Sequence, residues 1–237
     1  MNKHHEGLLK IIKKNSGKPD KDFDIQKYHG SRELMYWISI PTLRKIAKEW
    51  KSKNNGISLK EFVSVLDSLN KGESYTEKAF AGMLQKSMKK HKLDPLLYDK
   101  WLENVHGWAC IDSLCQSSFS AEDLLSEWNK WKKLLVDFSK SKNISKRRAS
   151  LVFLTTPVSQ SADKRLSDLA FENIDRLKHE KDILITKAIS WILRSLVKHH
   201  KKEVSKYLED SKESLPKIAI RETKNKITYG IKSYKKK

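Results

Sequence analysis

At 237 residues the chain can bury a sizeable core, as one large domain or two small ones, and its 49 Lys and Arg against 29 Asp and Glu give a formal charge of +20. An excess of that size points to a polyanion, nucleic acid first and an anionic membrane surface second; the plain alternative is a Lys-rich composition with no such partner. No run approaches the roughly 18 apolar residues of a membrane span, and residues 1–14 lack a signal-peptide core, so the expected location is the cytoplasm, at the nucleoid in a bacterium.

Gly and Pro are sparse, helix formers dominate and alternating strand patterns are missing, so the expectation is an all-α fold. A first helix is predicted over residues 4–14, ended by Asn15-Ser16-Gly17-Lys18-Pro19, and residues 1–20 read as an N-terminal helix and linker. Pro41 sits at the first turn of a helix whose stripe is Leu43, Ile46, Ala47 and Trp50. Ser58 with Glu61 reads as a capping box before Leu59, Phe62, Val63, Leu66 and Leu69, and Thr76 to Lys90 is the next helix. Asp94-Pro95 opens another, and His106-Gly107 separates it from a helix carrying Trp108 and Asp112. Ser120 with Asp123 caps a stripe of Leu124, Leu125, Trp128, Trp131 and Leu135; Ser145 caps a helix that Pro157 should end. Amphipathic stretches follow at 163–177, 182–198, 201–209 and 216–226, and residues 231–237 form a basic tail expected to fray.

A basic residue followed by a small or polar one recurs at Lys78-Ala79, Arg148-Ala149, Lys187-Ala188 and Arg221-Glu222, and Ile111-Asp112 falls at the same phase between the first two, giving steps of 33, 37, 39 and 34 residues. That period is the mark of paired-helix repeats near the HEAT and armadillo range, and it predicts a single domain, 1–237, built as a solenoid with a concave, positively charged groove.

Cys110 and Cys115 lie five apart, roughly 140° around a helix, so no disulfide joins them, and neither they nor the eight His residues show metal-site spacing. His4-His5 and His199-His200 read as solvated pairs. The stretch from His106 to Cys115, taken as a helix, puts Val105, Trp108, Ile111 and Cys115 on one face, with Asp112 between Trp108 and Cys115. A carboxylate on an apolar stripe is costly to desolvate and so has a partner or a task; helix capping is the plain reading.

If the second helix of each repeat lines the concave face, Trp108, Asp112, Arg148 and Trp191 share one surface. Cations there would take phosphates, and Trp faces would accept a base, a sugar or a cation. A lone carboxylate facing phosphates hinders pure binding but helps where positive charge develops, as on a sugar losing an already cationic base. The structural alternatives are core packing for either Trp and an Arg148–Asp112 ion pair.

At these residues the chain resembles the AlkD-like DNA alkylation repair glycosylases. The resemblance runs over roughly residues 20–230 and is carried by Ile38-Ser39-Ile40-Pro41-Thr42-Leu43-Arg44, Gly107-Trp108-Ala109-Cys110-Ile111-Asp112-Ser113, Lys146-Arg147-Arg148-Ala149 and Lys187-Ala188-Ile189-Ser190-Trp191-Ile192-Leu193-Arg194. It implies HEAT-like repeats, no metal or organic cofactor, and hydrolysis of the glycosidic bond of cationic N3- and N7-alkylpurines such as 3-methyladenine and 7-methylguanine. It assigns Asp112 as the catalytic carboxylate, Trp108 and Trp191 to the lesion, and Arg148 to the DNA. Tyr28, Arg44, Arg147, Lys187, Arg194 and Arg221 are the further candidate DNA contacts. Some members carry a second aromatic directly before the first Trp, where this chain has Gly107. The expected partner is double-stranded DNA bearing alkylated purines, met by a monomer with no membrane contact. The competing readings are a non-catalytic module for damaged or structured nucleic acid and a protein-interaction scaffold.

Overall fold

The computed structural model describes residues 1–88, 93–116 and 119–233. Among them are thirteen helices and no strand; one isolated parallel bridge joins Leu34 to Ser74. The chain divides into two compact units, Met1–Ser118 and Phe119–Lys237.

The first unit holds α1 (Lys3–Lys14), α2 (Ile25–His29), α3 (Ile40–Lys53), α4 (Leu59–Asn70), α5 (Tyr75–Ser87), α6 (Leu97–Trp101) and α7 (Trp108–Cys115). Local chemistry sets several of the starts. Ser58 and Ser74 each accept from the N–H three residues on, and Glu61 and Glu77 reach back to the cap, closing two capping boxes. Pro41 lies in the first turn of α3, where its missing N–H costs nothing. α5 is the central helix of this unit. It packs on α3, α4 and α7, so nearly all its residues are buried, Phe80, Ala81 and Leu84 completely. Sealing an aromatic such as Phe80 contributes about 2–3 kcal/mol. The predicted end of this helix at Lys90 lies outside the described residues; the helix itself closes at Ser87.

α1 docks on α4 through a face that includes His5 as well as Leu8 and Ile12. His5 is 1% exposed, its Nδ1 2.8 Å from Ser68 Oγ and its Nε2 2.7 Å from Glu77 Oε1. The solvated reading of His4-His5 is therefore corrected for His5, because it lies one turn before Leu8 on the inward face. Burial pushes the Glu77 carboxyl up, but hydrogen bonds with His5 and with the hydroxyl and N–H of Ser74 outweigh it and hold the group below the ordinary glutamate range.

The second unit holds α8 (Ala121–Ser126), α9 (Trp128–Ser139), α10 (Ile144–Gln160), α11 (Lys164–Leu177), α12 (Ile183–Asp210) and α13 (Lys217–Tyr229). α10, α12 and α13 pack in sequence, and α9 and α11 lie against each other and against α10, which is the two-layer arrangement of stacked helix pairs. Several expectations change here. Asn143, not Ser145, caps α10: the helix begins at Ile144, and the Asn143 side-chain oxygen accepts from the Ser145 N–H at 2.8 Å. The stripe from Leu124 to Leu135 is broken at Glu127 into α8 and α9, so Trp128 is half-exposed under the Arg165 guanidinium while Trp131 is fully buried. Pro157 does not end its helix: it sits in the last turn of α10, where only one backbone bond is lost, and the helix runs on to Gln160. The stretches 182–198 and 201–209 form one helix, kinked at His200 (φ −124°, ψ 35°). In the first half the Leu184 carbonyl accepts from Arg148 of α10 and Ser190 Oγ donates to Glu222 of α13, while Tyr207 in the second half bonds Asp175 of α11 at 2.7 Å. His200 is buried at the kink, which corrects its solvated reading.

The recurrent dipeptides fall on α5, α7, α10, α12 and α13, at a spacing of one per helix pair. Both cysteines are buried and neither is in a disulfide. Trp50, Trp101 and Trp131 are core residues, and Trp37 is half-exposed.

Candidate active site

α7 is short, and its geometry is set at both ends of its contact with the rest of the first unit. It begins at Gly107, whose φ of +79° is open to glycine and strained for other residues. A Cβ there would lie 2.5 Å from the His29 carbonyl oxygen, so the backbone of α2 and the start of α7 touch only because residue 107 has no side chain. Any side chain at residue 107 would meet that carbonyl. One turn further along, Ser113 Oγ donates to the Ala79 carbonyl at 3.1 Å, and a Cβ on Gly82 would meet Ser113 atoms at 2.4–2.7 Å. α5 and α7 therefore cross with backbones nearly in contact.

The face assignment of α7 differs from the expectation. Cys110, Ile111, Leu114 and Cys115 point inward, and Val105 precedes the Gly107 break. Trp108 and Asp112, four residues apart, share the opposite, half-exposed face. Asp112 is thus not a carboxylate on an apolar stripe but one facing a cleft. The cause is the helix start: with Trp108 as its first residue, the buried arc is set by packing on Tyr75 and Gly82 of α5 rather than by continuation from Val105.

Trp108 is oriented by α2. Its indole N–H donates to the Tyr28 carbonyl at 2.7 Å. The Tyr28 ring stands edge-on to it, centroids 5.4 Å apart and planes at 86°, and the His29 ring lies at 5.4 Å and 39°. Tyr28 itself is exposed and also touches Phe23. Behind this group the Tyr75 hydroxyl hydrogen-bonds His29 Nδ1. Burial first, then Cys110, Asp112 and Glu33, push the Tyr75 phenol far above its ordinary range, so it stays protonated.

Trp108 and Asp112 line a cleft of about 500 Å³ together with Arg44, Ala47, Lys48 and Lys51 of α3, Gly82, Met83, Lys86 and Ser87 of α5, and Ala109, Ser113 and Gln116. That volume lies within the roughly 300–1,000 Å³ of small-ligand clefts. Among the described residues its charged lining is four cations and one carboxylate. Arg44, Lys48 and Lys51 recur at i, i+4 and i+7 on the exposed side of α3.

In the second unit, Arg148 is buried in the first turns of α10 and donates to the Leu184 carbonyl at the start of α12. Arg147 makes a bidentate pair with Glu180 at 2.8 and 3.1 Å and donates to the carbonyls of Ser141 and Lys142. Trp191 is half-exposed on α12, and Lys187 and Arg221 are exposed. Arg194 Nε lies 3.5 Å from buried Glu222, which accepts from Ser190 Oγ at 2.6 Å; burial lowers the Arg194 guanidinium and Glu222 partly restores it. Among the described residues no group of three or more His, Cys, Asp or Glu could hold a metal ion, and no helix is long and apolar enough to cross a membrane.

The sequence matches the family model of the DNA alkylation repair enzyme over residues 14–227. The chain belongs to the DNA alkylation repair enzyme family. A solved structure described as a predicted DNA alkylation repair enzyme from Enterococcus faecalis shares the fold, with a TM-score of 0.71 at 14% identity over 86% of this chain and 93% of that one. No curated protein matches.

For this member of the DNA alkylation repair enzyme family, the first unit brings Tyr28, Arg44, Trp108 and Asp112 of the sequence-derived candidates to one region. Lys48, Lys51, Lys86, His29 and Tyr75 were missed. The α3 cations were legible, since their spacing marks one helix face. Lys86 and Tyr75 were not, because only the packing of α5 on α7 turns them toward Asp112 and Trp108.

Proposed function

We propose that the chain is a monofunctional DNA glycosylase that hydrolyses the N-glycosidic bond of cationic N3- and N7-alkylpurines. The observation that carries this reading is Asp112 facing a cleft one helical turn from Trp108, as the one carboxylate among four lining cations. Arg44, Lys48, Lys51 and Lys86 suit phosphodiester oxygens. The Trp108 face suits a cationic base or the sugar that bears it.

The alkylated purine already carries positive charge, so it leaves with the glycosidic electron pair as a neutral base and needs no general acid. Positive charge then develops on the sugar at C1′ and its ring oxygen. The Asp112 carboxylate stabilises that charge, and water adds to C1′ with loss of a proton, leaving an abasic site. Arg148 and Trp191 enter the reading through their motif resemblance, as does the assignment of Lys187, Arg194 and Arg221 to the DNA. The whole chain is read as one repeat domain acting as a monomer on double-stranded DNA.

The test is chromatography of purines freed from methylated duplex DNA by wild type and Asp112→Asn. Release of 3-methyladenine or 7-methylguanine by wild type, lost in the variant while DNA binding persists, supports the assignment. Salt-sensitive binding with no release by wild type overturns it.

A further inference from the structure

α2 is about one turn and a half long and none of its residues is fully buried, so packing alone holds it weakly. Yet it sets the orientation of Trp108, through the Tyr28 carbonyl and the rings of Tyr28 and His29. Its side-chain link to the buried core of the unit is the hydrogen bond between His29 Nδ1 and the hydroxyl of Tyr75, the buried first residue of α5. The same imidazole lies against the Trp108 ring.

We propose that Tyr75 and His29 are positioning residues: Tyr75 anchors α2 through His29, and uncharged His29 keeps the Trp108 face available to a cationic base. The proposal rests on the glycosylase reading for its substrate. Two cations compete for one indole ring, so a protonated imidazole on Trp108 would oppose the bound alkylpurine by direct repulsion and by occupying the ring quadrupole. Burial lowers the His29 imidazole below its ordinary value, which favours the neutral form at physiological pH. The groups that face this imidazole are Tyr28 on its own helix, Tyr75 on α5 and Trp108 on α7; behind it, Cys110 and Asp112 on α7 and Glu33 on the following segment act on the Tyr75 hydroxyl. Lys78 and Glu33 form a largely buried ion pair that cancels most of their field. Tyr75 and Cys110 are both pushed up by burial, so neither contributes charge.

The experiment follows the emission of Trp108 in the full chain, taken as wild type minus Trp108→Phe, between pH 8 and 4.5, since imidazolium quenches indole. A drop with a midpoint below the ordinary histidine value is expected, absent in His29→Gln and shifted upward in Tyr75→Phe. A Trp108 signal without such a step, or a step that persists in His29→Gln, overturns the proposal. In parallel, base release by wild type should fall on the acid side through the same midpoint. Tyr75→Phe, with its thermal melt intact, should lose about tenfold in kcat at pH 7, and wild-type turnover in that variant overturns the anchoring role. If wild type releases no base, the glycosylase reading fails, and the emission step still decides whether His29 charge reaches Trp108.

Discussion

The indole N–H of Trp108 donates to the main-chain carbonyl of Tyr28 at 2.7 Å, across 80 residues of sequence. One aromatic ring is thereby oriented by a helix from the far end of the unit, and the neighbouring carboxylate, Asp112, faces the same cleft. The relationship makes the site sensitive to changes that touch neither residue.

Removing the carboxylate charge should separate turnover from binding. Asp112→Asn is expected to lower base release by about 10²-fold or more, since it removes a preformed charge aimed at the developing sugar cation. Its affinity for duplex DNA should hold or rise, because a negative charge near phosphates is lost. Single-turnover release and equilibrium binding, measured on the same preparation, check both halves.

The three cleft-lining cations of α3 should appear in the salt dependence of DNA binding. Arg44→Gln, Lys48→Gln and Lys51→Gln are each expected to flatten the slope of log K against log [salt] by about 0.9, the value for one phosphate contact on duplex DNA. Lys45 lies on the adjacent strip of the same helix, 4.0 Å from Glu49. Lys45→Gln should leave the slope close to wild type, which controls for a general loss of charge.

Packing of α5 on α7 should tolerate no added methyl at the crossing. A Cβ at residue 82 would stand 2.4 Å from Ser113 Oγ and 2.6 Å from the Ser113 carbonyl carbon, and the latter is backbone that cannot rotate away. Gly82→Ala is expected to cost about 1–3 kcal/mol, read as a lowered urea midpoint at unchanged m. Base release should fall beyond the loss of folded protein, because α7 carries Trp108 and Asp112.

Acid should weaken the first unit through Glu77. Its folded carboxyl titrates below the ordinary 4.5 because hydrogen bonds with His5 and Ser74 overcome burial. A depressed carboxylate adds stability that is present above the unfolded value and is lost as pH falls through the folded one. Denaturation midpoints should therefore drop below about pH 4.5, and Glu77→Gln should flatten that limb. At pH 7 the same variant should be less stable by about 1–3 kcal/mol, from a buried His5 with a weakened partner.

The sequence by itself determined the class of fold and most of the caps it marked. Helical spacing, the Ser58–Glu61 and Ser120–Asp123 capping boxes and the 33–39-residue period are local properties, and they hold in the structure, whereas the cap expected at Ser145 falls on Asn143. Local pattern failed where long-range packing chose among allowed states. Pro157 stayed within α10, Glu127 split a continuous stripe, and His5 turned inward to Glu77. The faces of α7 show the difference most directly. Periodicity placed Trp108 and Asp112 one turn apart, but which side of the helix is buried depended on Gly107 meeting the His29 carbonyl and on Gly82 admitting Ser113. Those are contacts between chain segments distant in sequence, set by excluded volume between backbones, and no periodicity within eight residues encodes them. Only the tertiary structure therefore decided that Asp112 faces a cation-lined cleft rather than the core.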